Sequence, residues 1–213
     1  MANNYEYIIA GLPQLSLDFE AKGFSLEELL TSIRQMLGKK DNRQVDWLFA
    51  GMEPKNMNSL FYAAARKVSN SFISGFFSFD LEIRNIVAAY TARQYGRPLA
   101  ASLVGDGELV QALHTSKAED FDLKNVSEYA ATLHRIMQVK EPLEREQQLD
   151  RLRWEKANEL ATFHYFDIDV ILAFLLKATL VARWDKLDKE TGSRLFKALV
   201  DEVKGTYKAK AQA

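Results

Sequence analysis

The chain has 213 residues with 28 basic and 29 acidic side chains, a formal net charge of −1, so no global field draws it to nucleic acid. Hydrophobic content of 47% with 27% charged residues is ordinary for a folded globular protein with a substantial core. Cysteine is absent, which excludes disulfides, thiolate nucleophiles and cysteine-held metals and fits a reducing cytoplasm.

The opening Met1-Ala2-Asn3-Asn4-Tyr5 lacks the basic and apolar regions of a signal peptide, so no targeting segment is expected. Tyr5 to Ala10 reads as a short strand or a first helical turn, ended by Gly11-Leu12-Pro13. Ser25 and Glu28 have capping-box spacing ahead of Leu26, Leu29, Leu30, Ile33 and Leu37, with Gly38 as the stop. Asp41 is expected to cap a helix carrying Val45, Trp47, Leu48 and Phe49, and another should run from about Asn58 to Val68. Ser69 to Ser78, rich in serine and phenylalanine, reads as a bent connection. Phe79-Asp80-Leu81-Glu82-Ile83 then opens a helix that continues to Gly96, with Pro98 beyond it.

The run Leu99 to Val104, followed by Gly105-Asp106-Gly107-Glu108, imitates a strand, a glycine turn and a phosphate-holding helix start. Val110 replaces the third glycine of that fingerprint and the acids Asp106 and Glu108 repel phosphate, so a helix-to-helix turn capped by Asp106 is the better reading. Val126 to Val139 is helical, with Val126, Ala130, Leu133 and Met137 on one face. Glu141 to Phe163, opened by Pro142, is a half-exposed mixed-charge helix whose carboxylates are expected to face water. Phe166-Asp167-Ile168-Asp169-Val170 opens a strongly apolar helix reaching Leu187, covered on most sides. Its Val170 to Ala182 stretch is interrupted by Lys177 and Thr179 and falls short of the roughly 20 apolar residues a membrane span takes. A last amphipathic helix holds Leu195, Phe196, Leu199, Val200 and Val203.

No segment sustains strand-type alternation, so the predicted class is all-α, a multi-helix protein with at most one short N-terminal strand. The phrases at Phe79 and Phe166 share an aromatic, an acid suited to an N-cap, and alternating apolar and acidic residues. They suggest an internal duplication within a single helical domain, with similar lobes over 1–105 and 106–213.

Catalytic chemistry is not expected. His114, His134 and His164 lack the one-turn spacing that grips a metal, and neither a nucleophile elbow nor a P-loop is present, so no catalytic residue, metal or cofactor is assigned. Phe76, Phe77 and Phe79 are core material by default, although their clustering also suits the lining of a socket.

Leu81-Glu82-Ile83-Arg84-Asn85-Ile86, with Arg93 and Gly96 beyond, resembles the repeated acid-x-x-Asn-Ile helix signature of the C subunit of archaeal and bacterial V-type rotary ATPases, related to the eukaryotic d subunit. Tyr5 to Pro13 is similar to the start of a bacterial family of formally unknown function encoded among V-type ATPase subunits. Glu82, Asn85 and Arg93 carry the motif; Asp167, Asp169 and Arg183 are their nearest counterparts in the second copy, where Leu172 stands in place of Asn. The resemblance implies a non-catalytic helical adaptor that joins the central stalk to the membrane proteolipid ring. It would be cytoplasmic, held at the inner face of the membrane through the complex and without direct insertion. Under it, these six residues either tie helix ends together or meet the stalk or ring. A stand-alone helical interaction or regulatory protein is the alternative, with an enzyme binding a phosphorylated ligand at residues 105–108 more remote.

Overall fold

A computed structural model describes residues 5–17 and 25–185. The described residues form α-helices joined by turns and short 3-10 segments, with no strand among them. In chain order the helices are α1 (Glu6–Ala10), α2 (Leu26–Met36), α3 (Lys39–Ala50), α4 (Ser59–Ala65), α5 (Ser71–Gln94), α6 (Glu108–Thr115), α7 (Ala130–Met137), α8 (Pro142–Ala161) and α9 (Ile168–Asp185). The all-α class holds, and Tyr5 to Ala10 is a helical turn. The final helix expected around Leu195 lies outside the described residues.

Helix starts follow local capping chemistry. Ser25 Oγ accepts from the Glu28 N–H at 3.5 Å, and Asn58 Oδ1 accepts from the Phe61 N–H at 3.1 Å. Asn70 Oδ1 accepts from the Ile73 N–H at 2.8 Å and so starts α5 well before Phe79. The segment expected to be a bent connection is therefore helical: its phenylalanines are buried and offset the weak helical preference of its serines. Asp80 sits inside α5 and is not a cap, whereas Asp167 does cap α9, its Oδ1 accepting from the Asp169 N–H at 3.1 Å. The two similar phrases thus occupy different stations of their helices.

Three other boundaries shift. α3 begins at Lys39, and Asp41 is buried in its first turn, accepting from the Tyr5 hydroxyl at 2.5 Å. Gly107, with no side-chain cap, precedes α6 in place of Asp106. The helix expected from Val126 starts at Ala130, because Leu123–Asn125 forms a 3-10 turn and Ser127 Oγ accepts from the Tyr129 N–H at 3.1 Å.

α5 and α9 are apolar nearly all round and form the centre of one continuous core. Phe72, Ile73, Phe76, Phe77, Phe79, Ile83 and Ile86 of α5 are buried, as are Ile171, Leu172, Leu175 and Leu176 of α9. α8 packs along both, and α2 and α3 from the first half of the chain pack against α9 from the second. The turn after α3 lies so close to α5 that a Cβ on Gly51 would stand 2.2 Å from the Phe77 ring. Gly96 ends α5 with φ 61°, a left-handed conformation that glycine adopts at little cost.

Candidate functional site

The three motif residues of α5 each fasten that helix to chain that follows it. Asn85 is buried; its Nδ2 donates to the Val104 carbonyl at 2.9 Å and its Oδ1 accepts from the Val104 N–H at 2.8 Å, as a strand neighbour would. Glu82 accepts from the Ser127 hydroxyl. Burial pushes its carboxyl above the ordinary value of 4.5 against the lowering effect of that hydrogen bond. Arg93 donates to the carbonyls of Ser116, at 3.0 Å, and Ala118, and its guanidinium lies 3.5 Å from the centre of the Phe121 ring.

The second set divides between two places. Asp167 and Asp169 meet at the α8–α9 turn, where Asp167 accepts from His164 Nδ1 at 2.6 Å and Asp169 accepts from Asn70 Nδ2 at 2.5 Å. That hydrogen bond raises the His164 pKa above 6.5, against the lowering effect of burial. The polar starts of α5 and α9 therefore lie side by side. Arg183, near the other end of α9, reaches Asp150 and lies 3.7 Å from Glu146.

Asp150 is fully buried, so the expectation that the carboxylates of α8 face water fails at this position. It accepts from Arg153 Nη1 at 2.8 Å, Trp184 Nε1 at 2.7 Å and Arg183. Asp80, also buried, accepts from the Tyr62 hydroxyl at 2.7 Å and from Arg84 Nε at 2.6 Å, with Arg153 Nε 3.8 Å away. Burial first, then the Asp80 charge, pushes the Tyr62 hydroxyl well above its ordinary range. Arg153 thus bridges the two buried carboxylates, and the chain Tyr62–Asp80–Arg153–Asp150–Trp184 joins α4, α5, α8 and α9. Sequence reading missed this network. Its available signals were Asp80 within an apolar helix and an aspartate three residues before an arginine at Asp150 and Arg153.

Two cavities flank the α5 motif. The larger, about 740 Å³, is bordered by α5, α8, α9 and the segment after α3, and its lining includes Asp80, Arg84, Arg153 and Arg183 together with Leu176 and Leu180. Phe76 and Phe77 are buried in the core and also border this cavity. The second, about 670 Å³, is lined by Tyr62, Arg66, Glu82 and the 105–108 turn. Asn85 and Val104 border both, so their paired hydrogen bonds form part of the wall between them.

Among the described residues, no three His, Asp or Glu side chains converge to hold a metal ion. His134 Nδ1 lies 2.8 Å from the Tyr90 hydroxyl, and His164 belongs to the α8–α9 turn. Among the same residues no helix is long and apolar enough to cross a membrane.

These features define an all-helical protein whose motif residues brace its own helices. Residues 1–60 and 55–206 match the family described as "Protein of unknown function (DUF2764)", and the chain belongs to that family. No curated protein and no solved structure matches it.

Proposed function

We propose that the chain is a non-catalytic coupling adaptor of a V-type rotary ATPase, linking the central stalk to the membrane proteolipid ring. The observation that carries this reading is the bracing of α5: Glu82, Asn85 and Arg93, the residues of the acid-x-x-Asn-Ile resemblance, each tie that helix to a different later segment. A body that transmits torque must resist shear between its helices. Asp80, Arg153 and Asp150 add a second brace through the interior, in a low-dielectric setting where hydrogen-bonded charges hold a defined geometry.

Native pull-down from membranes with a tagged chain tests the assignment. Stalk and ring subunits should be recovered together with it, at one copy per rotor. Recovery of neither, under conditions that keep the rest of the ATPase intact, would leave a stand-alone helical interaction protein as the better reading.

The phosphorylated-ligand alternative rests on the second cavity, whose wall includes Gly105 to Glu108 together with Arg66. Glu82, Asp106 and Glu108 border the same space and oppose an anion. ATP turnover by the purified chain, abolished in a Gly105 or Glu108 variant, would promote that alternative over the adaptor.

A further inference from the structure

The larger cavity combines apolar walls with a surplus of positive charge. Arg84, Ala88 and Thr91 share one face of α5 by their spacing, as Leu176, Leu180 and Arg183 share one face of α9, and all six line the same space. Val87, Phe76 and Phe77 extend the apolar part of the lining. At about 740 Å³ the space is the size of a small-molecule site, in which mainly apolar walls carry a few polar groups that fix the orientation of the ligand.

The charged side chains of the lining are Arg84, Arg97, Arg153 and Arg183 with Asp80 and Glu146, and the buried Asp150 behind them accepts from both Arg153 and Arg183. Four cations thus meet three acids. Arg84 pairs with Asp80, Arg153 with Asp150, and Arg183 with Asp150, with Glu146 3.7 Å away. Arg97 pairs with no carboxylate among the described residues, and its guanidinium lies 5.6 Å from the centre of the Tyr95 ring. The backbone at Arg97 is held in place: Gly96 turns in its left-handed conformation, and the Arg97 N–H donates to the carbonyl of Ala92, itself a lining residue, at 2.8 Å. The cation without an acid therefore stands where the α5 wall ends.

We propose that this cavity binds a medium-chain aliphatic carboxylate, with the carboxylate on the Arg97 guanidinium and the chain along Val87, Ala88 and Leu180. One carboxylate balances the surplus charge, whereas a dianion adds a negative charge beside Asp80 and Glu146. A cationic amphiphile meets Arg97 with like charge. The residues after Asp185 carry seven basic and four acidic side chains, so their charge has the same sign as that of the cavity and disfavours them as its occupant. This inference stands apart from the rotor assignment, because it follows from the lining and its charge alone.

The test is calorimetric titration of the full chain with octanoate, with octan-1-ol and octylamine as comparisons of matched chain length. Octanoate should bind saturably, about tenfold or more tighter than octan-1-ol, and octylamine more weakly than either. Shortening the acid to heptanoate and then hexanoate should weaken binding about fourfold per methylene. Arg97→Gln should bring octanoate down to the level of octan-1-ol and leave the alcohol unchanged, whereas Ala88→Phe, which places a ring in the cavity, should weaken both about tenfold or more. Arg135→Gln, at an exposed arginine outside the lining, should change neither. Unaltered thermal unfolding confirms that the variants fold; Arg97 is exposed, so its substitution decides the matter if Ala88→Phe does not fold. Absence of octanoate binding, octylamine or octan-1-ol binding as tightly as octanoate, affinity independent of chain length, or undiminished octanoate binding by the folded Arg97→Gln variant would overturn the proposal.

Discussion

Replacing Asn85 with alanine separates a bracing role for the motif from a partner-contact role. The substitution removes hydrogen bonds of 2.9 and 2.8 Å to both backbone groups of Val104. Each contributes about 1 kcal/mol net, and because cavities border the pair on both sides, water can reach the freed groups and spare the full desolvation penalty. The expected loss is about 2 kcal/mol, or about 4 to 8 °C in Tm for a chain of this size. Asn85→Asp should cost more, about 3 kcal/mol, because a carboxylate oxygen would face the Val104 carbonyl in a buried position. Urea unfolding followed by far-ultraviolet circular dichroism measures both. An alanine variant within about 0.5 kcal/mol of the wild type would refute the brace and return Asn85 to the pool of partner contacts.

Asp150→Ala should be more damaging, about 3 to 5 kcal/mol in the same assay, because it leaves Arg153 and the Trp184 N–H without their buried acceptor; a loss under about 1 kcal/mol would contradict a central role for this carboxylate. Burial raises the Glu82 pKa, so its ionised form disfavours folding as pH climbs from 4.5 through the folded-state value. Glu82→Gln should therefore be more stable than the wild type at neutral pH, with the gap closing below pH 4.5, and a gap that does not change with pH would oppose this account. The raised pKa of His164 has the reverse consequence: its stabilisation is fully present below pH 6.5 while Asp167 stays ionised, and fades as pH rises through the folded-state value. His164→Gln should lose under about 1 kcal/mol on the acid side and less at higher pH, and a constant difference across that range would exclude the ion pair as its cause.

The helical class was legible because capping residues and apolar periodicity agree along most of the chain. Ser25, Asn58 and Asp167 act at helix starts, and the alternating pattern of a strand is missing throughout the described residues. The start of α5 was misplaced because serines and phenylalanines are weak helix formers, and tertiary burial of Phe72, Phe76 and Phe77 overrides that preference. Glu82, Asn85 and Arg93 were visible through the motif, yet their partners Ser127, Val104, Ser116 and Ala118 are distant in sequence and carry no local signal. Asp150 was hidden among the charges of α8, where one buried carboxylate has the same spacing to basic residues as an exposed one.

The coupling role is tested most directly by measuring ATP hydrolysis and ATP-driven ion transport on the same native membranes, with the chain present, removed and restored. The adaptor account requires that removal leave hydrolysis by the catalytic head largely intact while transport collapses, and that adding back the purified chain restore transport. Transport that continues unchanged without the chain would contradict it.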